Sequence, residues 1–231
     1  MSKTIIVVGF GPGISTGVAE TFGARGFNVA LVGRTRERLD AGVAALEAKG
    51  FTAGAYVADA GDPAAIAAAV AAVRADFGSI AAIQWNAYGA NGVGGDLVAA
   101  DPAEIGGVFD VAITGLLAAV QAARADLAAN KGAVLITNGA FGELNPQVDQ
   151  YAVASNNMGL SLANAAKHKL VGLLAAKLKD DGIHVAEVMI AGSIRGTSWA
   201  EGNPAPIEPS YVGETFFDLY DKRAETYARL T

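Results

Sequence analysis

Three observations predict an α/β fold, with a doubly wound parallel sheet covered by helices on both faces. Short β-branched runs recur along the chain, an Ala-rich amphipathic stretch follows each, and no linker, charge block or low-complexity tail interrupts the alternation. Strands alternating with helices imply right-handed βαβ crossovers, which lay the strands parallel. All 231 residues are read as a single domain, because too little chain follows the Gly/Pro-rich stretch 202–209 to form another.

The elements follow in order. TIIVVG (4–9) is a buried-strand run, and the helical stretch after it closes at Gly26. NVALVG (28–33) leads into a helix whose apolar positions Leu39, Val43 and Leu46 recur at helical spacing. Residues 52–59 form a third strand, after which Asp62 caps a helix and Pro63 takes its first turn. AAIQWNA (81–87) runs into a Gly-rich loop. A long helix then opens at Asp101-Pro102 and ends near Asn130. GAVLIT (132–137) is a fifth strand, followed by a polar loop and the helix holding Leu170, Leu174 and Leu178. HVAEVMI (184–190) is a sixth strand, and the tail from Pro209 reads as one more amphipathic helix.

Composition narrows the function. Hydrophobic residues are 52% and charged residues 17%, ample for a sizeable core. A net charge of −6 argues against nucleic acid, since phosphate binding needs clustered Lys and Arg. Gly, Asp, Arg or Lys breaks each apolar run, so no membrane span is expected. The absence of cysteine excludes disulfides and thiolate metal sites and is compatible with a reducing cytoplasm. No signal peptide is read at the N-terminus. With two histidines and no acidic cluster beside them, no metal is expected.

The turn after the first strand, GFGPGIS, carries the chemistry. Gly9, Gly11 and Gly13 permit positive φ and close backbone approach. A helix beginning at Ile14 or Ser15 aims free N–H groups at a pyrophosphate. A site for NAD usually places an acid about 20 residues onward, for the ribose hydroxyls. Here Gly33 leaves that place empty, and Arg34, Thr35 and Arg36 follow. Arginine suits a phosphate monoester, so NADP is expected over NAD, with Arg34 ahead of Arg36.

The chain resembles the short-chain dehydrogenase/reductase family over nearly its whole length. The likeness rests on GFGPGIS, on VADA, on WNAYG after the fourth strand, on GAVLITNGAFG, and on GIHVAEVMIAGSIRGT. It implies a Rossmann-like, often oligomeric NAD(P)-dependent oxidoreductase, here a homo-dimer or tetramer acting on a small or hydrophobic carbonyl or alcohol. It implies further that Asp59 and Ala60 flank the adenine, that Asn86 and Ala87 line the cofactor, and that Ile194 offers a backbone N–H to the carboxamide. Substrate is expected between residues 89–96, 138–142 and 195–209.

The departures concern catalysis. Ala112 stands where the family keeps an asparagine, and Asn138 where it keeps a serine; Asn138 is the candidate to hydrogen-bond a substrate carbonyl. Family members place a tyrosine and a lysine one helical turn apart. Counting forward from ITNG, the tyrosine is Tyr151 and the lysine position is Ser155. Counting backward from GIHV, the two positions are Leu160 and Asn164. A helix from Tyr151 to Lys179 would span ~40 Å, so residues 143–157 are read as an enlarged loop and the helix as starting near Gly159. Tyr151 then acts as the acid only if that loop folds over the nicotinamide, and otherwise packs as a loop aromatic. Asn164 is the candidate ribose ligand. Lys167 reads as a solvated helix lysine, and His168 and His184 as structural. A nucleotide-binding protein without turnover, or a non-redox enzyme on the same fold, are the competing readings.

Overall fold

The computed structural model describes residues 3–89 and 95–231. Seven parallel strands form one sheet in the order β3-β2-β1-β4-β5-β6-β7. They are β1 (Thr4–Val8), β2 (Asn28–Gly33), β3 (Ala53–Val57), β4 (Ile80–Trp85), β5 (Ala133–Gly139), β6 (His184–Ile190) and β7 (Tyr227–Leu230). Strands buried on both faces are apolar at nearly every position, which is why β1 and β4 read as unbroken runs.

Helices α1 (Ile14–Ala24) and α2 (Arg36–Glu47) lie on one face of the sheet, and α3 (Pro63–Phe77) and α4 (Gly115–Ala129) on the other. Beyond β5 come α5 (Pro146–Ala154) and α6 (Met158–Leu178), and α7 (Pro209–Lys222) closes the first face beside α1. Gly17 allows that last contact, because a Cβ there would lie 2.0 Å from the carbonyl oxygen of Pro209. Chain order reverses on either side of β1, so a crevice opens beyond the ends of β1 and β4.

Three expectations are corrected, and a fourth, on membrane spans, is qualified. The tail is not one helix: α7 stops at Arg223, in the left-handed region at φ 51°, and the chain then pairs beside β6 as β7. The stretch 143–157 is not a loop throughout, since Asn145 caps α5 by accepting from Gln147 N–H and Pro146 fills the first turn. The same Asx-Pro signal that marks Asp62-Pro63 is present there. The long helix after Asp101 is interrupted, with a 3₁₀ turn at Ile105–Gly107 and a π turn at Asp110–Thr114 before α4. Finally, the stretch Ile105–Ala129 is by length and composition apolar enough to cross a membrane. Leu116, Ala119, Val120, Ala123 and Leu127 within it are buried in the sheet-facing core, the setting of a core helix.

Candidate active site

The turn between β1 and α1 is held open by glycine and closed by its own hydroxyls. Gly9 and Gly13 have φ of 84° and 87°. A Cβ on Gly9 would meet the backbone N of Ala87 at 2.5 Å, so the ends of β1 and β4 touch only because glycine is there. The Ser15 hydroxyl accepts from Gly11 N–H at 2.9 Å and donates to Gly11 C=O at 2.8 Å. Ser15 therefore shapes the turn from inside, where it is fully buried. Gly13 caps α1 with no side-chain acceptor, which leaves the first-turn amides of Ile14 and Ser15 available to an anion.

A cavity of about 510 Å³ opens beside this turn at the switch point. Gly9, Arg34, Thr35, Asp59, Ala60, Asn86 and Ala87, seven of the expected cofactor residues, all line it. Asn86 donates to Gly9 C=O at 3.2 Å, and Asp59 accepts from Gly61 N–H at 2.9 Å, so both walls are pinned. Arg36 turns away and pairs with Asp40 at 2.9 Å. Arg38, which the sequence reading passed over, lines the cavity instead. Among the described residues, neither Arg34 nor Arg38 makes an ion pair or a side-chain hydrogen bond.

The remaining expected residues lie toward β5 and β6. Ile194 is buried, and its Cγ2 lies 3.2 Å from where a Gly13 Cβ would be, so the segment after β6 folds over the glycine turn. Asn138 is 1% exposed. Its amide donates to Asn164 C=O at 2.9 Å and to Glu187 Oε1 at 2.5 Å, while its own oxygen accepts from Gly139 N–H at 3.0 Å. Both amide hydrogens are thus committed inward, and none is left for a substrate carbonyl. Asn164 is also buried, packed against Gly139 and Gly142, away from the cavity. Tyr151 is 60% exposed on α5 and stacks on Phe141, with centroids 5.6 Å apart and planes at 8°. Ala112 sits in the π turn, packed with Val108 and Ala163. Of the expected substrate loop 89–96, residues 90–94 lie outside the described residues.

Lys167 is not solvated. It is 2% exposed on the stripe of α6 that faces the sheet, where its neighbours along the helix are Ala163, Asn164, Val171 and Leu174. Burial pulls its amine down to about 8, and Glu187 opposes that fall. Glu187, in β6 and 1% exposed, also meets His168 Nδ1 at 2.5 Å. The signal was present in the sequence, since positions 163, 167, 171, 174 and 178 continue one helical face. A second groove, of about 280 Å³, lies beyond this layer, lined by Leu97, Phe141, Leu144, Val153 and Leu162 among others.

Fold and site define a doubly wound α/β protein whose anion-directed turn meets a basic cavity at the switch point. The model of the short chain dehydrogenases matches residues 3–201, and the chain belongs to that family. Searched against curated proteins, the sequence finds no match. Among solved structures, the L-sorbose reductase of Gluconobacter frateurii with NADPH and L-sorbose has a TM-score of 0.83 at 18% identity, covering 99% of this chain and 95% of that one. A short-chain dehydrogenase of Sphingobium yanoikuyae with NADPH has a TM-score of 0.78 at 25% identity, covering 98% and 87%. A metagenomic short-chain oxidoreductase with NADP has a TM-score of 0.80 at 24% identity, covering 100% and 99%.

Proposed function

We propose that the chain is an NADP(H)-dependent oxidoreductase acting on a small or apolar carbonyl or alcohol. The observation that carries this reading is the cavity at the switch point, where Arg34 and Arg38 have no ion pair among the described residues and Gly33 occupies the usual place of a ribose-binding acid. The residues fit the nucleotide: glycine at positions 9 and 13 keeps the turn close against Ala87 and against Ile194 and Thr197, and the first turn of α1 carries no side-chain cap. The NADPH and NADP complexes of the structural neighbours agree with it.

When bound, the nicotinamide nucleotide supplies or accepts the hydride. In this reading the protein's own residues do the rest. Arg34 and Arg38 hold a 2′-phosphate with Thr35 beside them, and Asp59 and Ala60 border the adenine. The amides of Ile14 and Ser15 take the pyrophosphate, and Ile194 borders the carboxamide. Tyr151 is the candidate proton donor, with an exposed hydroxyl on the α5 side. Asn138 acts indirectly, by fixing the turn after β5, and Asn164 supports it there. The apolar groove beside Phe141 favours a substrate with little charge. The same reading carries a cytoplasmic homo-oligomer, dimer or tetramer, which light scattering and cell fractionation test.

A second reading, binding without turnover, follows from the backward count, in which Leu160 and Asn164 of α6 take the tyrosine and lysine positions. NADPH oxidation across a panel of ketones, aldehydes and quinones separates the two. Turnover that falls in Tyr151→Phe supports the first reading, whereas tight binding with no turnover supports the second.

A further inference from the structure

The two faces of the sheet are apolar almost throughout, with two exceptions: Gln84 of β4, which donates to Thr137 Oγ1 at 2.9 Å on the α1 face, and a larger polar group on the α6 face. On β5 the residues facing α6 run Val134, Ile136, Asn138, and on β6 they run Val185, Glu187, Met189. The buried stripe of α6 is Val171, Leu174 and Leu178 in its later half but Asn164 and Lys167 in its earlier half. Three elements therefore turn polar at adjoining levels, Asn138 near the carboxyl end of β5 and Glu187 two residues deeper, on the side where ligands of such folds bind. Nothing in the fold asks for this, because interior positions of parallel strands are served by Val, Ile or Leu.

The contacts within the layer run one way. Glu187 receives the Asn138 amide, Asn138 binds the Asn164 carbonyl, and Asn164 packs on Gly139. A Cβ on Gly142 would lie 2.6 Å from the Asn164 carbonyl carbon, so the 3₁₀ turn Ala140–Gly142 is seated on the same residue. Phe141 in that turn stacks with Tyr151 and accepts from Ser161 Oγ through its carbonyl at 2.6 Å. Lys167 lies in the same layer, without a hydrogen bond among the described residues, and Glu187 is the charge that acts on it.

We infer that Glu187 is a positioning residue for the nicotinamide end of the site, acting through Asn138 on the 139–142 turn, with His168 held on its other oxygen. The inference rests on the reading of this site as an NADP(H) site. Its mechanism is preorganisation: a buried acceptor fixes an amide, and the amide fixes the wall against which the reacting ring lies.

The test uses the whole protein and NADPH as probe, in two double variants that both carry Lys167→Met, so that removing the Glu187 carboxylate does not leave the Lys167 charge alone. Lys167→Met/Glu187→Gln keeps an acceptor for Asn138, and Lys167→Met/Glu187→Leu removes it. Calorimetry reads the affinity, set mainly by the adenosine half, and nicotinamide fluorescence reads how firmly the ring is held. Both variants are expected to bind within about threefold of the wild type. The Gln variant keeps the enhanced nicotinamide emission, whereas the Leu variant loses most of it. Equal emission in the two variants overturns the inference while leaving the nucleotide site intact. A Leu variant that does not fold also overturns it, by making the layer a support of the core. A wild type that binds no NADPH removes the functional reading and this inference together.

Discussion

Replacing Lys167 by methionine is expected to stabilise the protein, contrary to the usual effect of removing one member of a buried charged pair. Lys167 lies buried with its amine lowered from 10.5 to about 8 by desolvation, against the pull of Glu187. At about 1.4 kcal/mol per pH unit, that gap corresponds to about 3 kcal/mol of unfavourable burial at neutral pH. Glu187 does not lose its partners with the lysine, because its two oxygens meet the Asn138 amide and His168. Methionine fills the same unbranched volume without the charge. Below pH 8, Lys167 is protonated in both folded and unfolded chains, and the cost is present in full. Between about 8 and 10.5 the unfolded chain keeps a proton that the folded one has released, so wild-type stability rises with pH relative to the variant. Above about 10.5 the amine is neutral in both states and the difference closes. Urea denaturation at steps from pH 7 to 10.5 should therefore show Lys167→Met more stable by about 3 kcal/mol at pH 7, converging on the wild type by the last step. For a chain of this size the neutral-pH difference amounts to a Tm raised by roughly 6–12 °C. A variant less stable at pH 7, or a difference constant across the range, refutes the reasoning.

Three further outcomes are expected. Arg38→Ala weakens NADPH binding by about 10-fold and leaves NADH binding unchanged, one charge-assisted contact being worth about 1.5 kcal/mol, as calorimetry with both nucleotides reads. Gly9→Ala, forced to φ 84° with its Cβ 2.5 Å from the Ala87 nitrogen, loses about 2–4 kcal/mol of stability and its nucleotide affinity, read by thermal melts with and without NADPH. Asp62→Ala, which removes the acceptor for Ala64 and Ala65 N–H at the start of α3, costs about 1 kcal/mol in denaturant titration without changing nucleotide binding.

The fold was legible because its signals are local and repeated. Each inner strand is a short, mostly apolar buried run, and Asp62-Pro63 announces α3 in the sequence itself. The lining of the switch-point cavity was legible for the same reason: Gly9, Arg34 and Asp59 sit at fixed places relative to strand ends. What stayed hidden depends on contacts between distant segments. The strand β7 is four residues long and is a strand only because β6 offers it an edge. Arg38 faces the cavity and Arg36 does not, a difference of helix phase set by the buried face Leu39, Gly42 and Leu46 of α2. Lys167 looked like a surface lysine because charge outweighed position in reading α6. Its place on the buried stripe was the better guide, and Glu187, inside an apparently ordinary strand, was its counterpart. Asn138 was correctly located at the end of β5, but its partners, Asn164 and Glu187, are 26 and 49 residues away in sequence, beyond the reach of local pattern.

The most direct test of the account is calorimetric titration of the purified protein with NADPH and NADH, repeated with Arg34→Ala. The account predicts micromolar NADPH binding, weaker NADH binding, and an Arg34→Ala variant whose NADPH affinity falls to the NADH level. Binding of neither nucleotide, or equal binding of both that ignores the substitution, contradicts it.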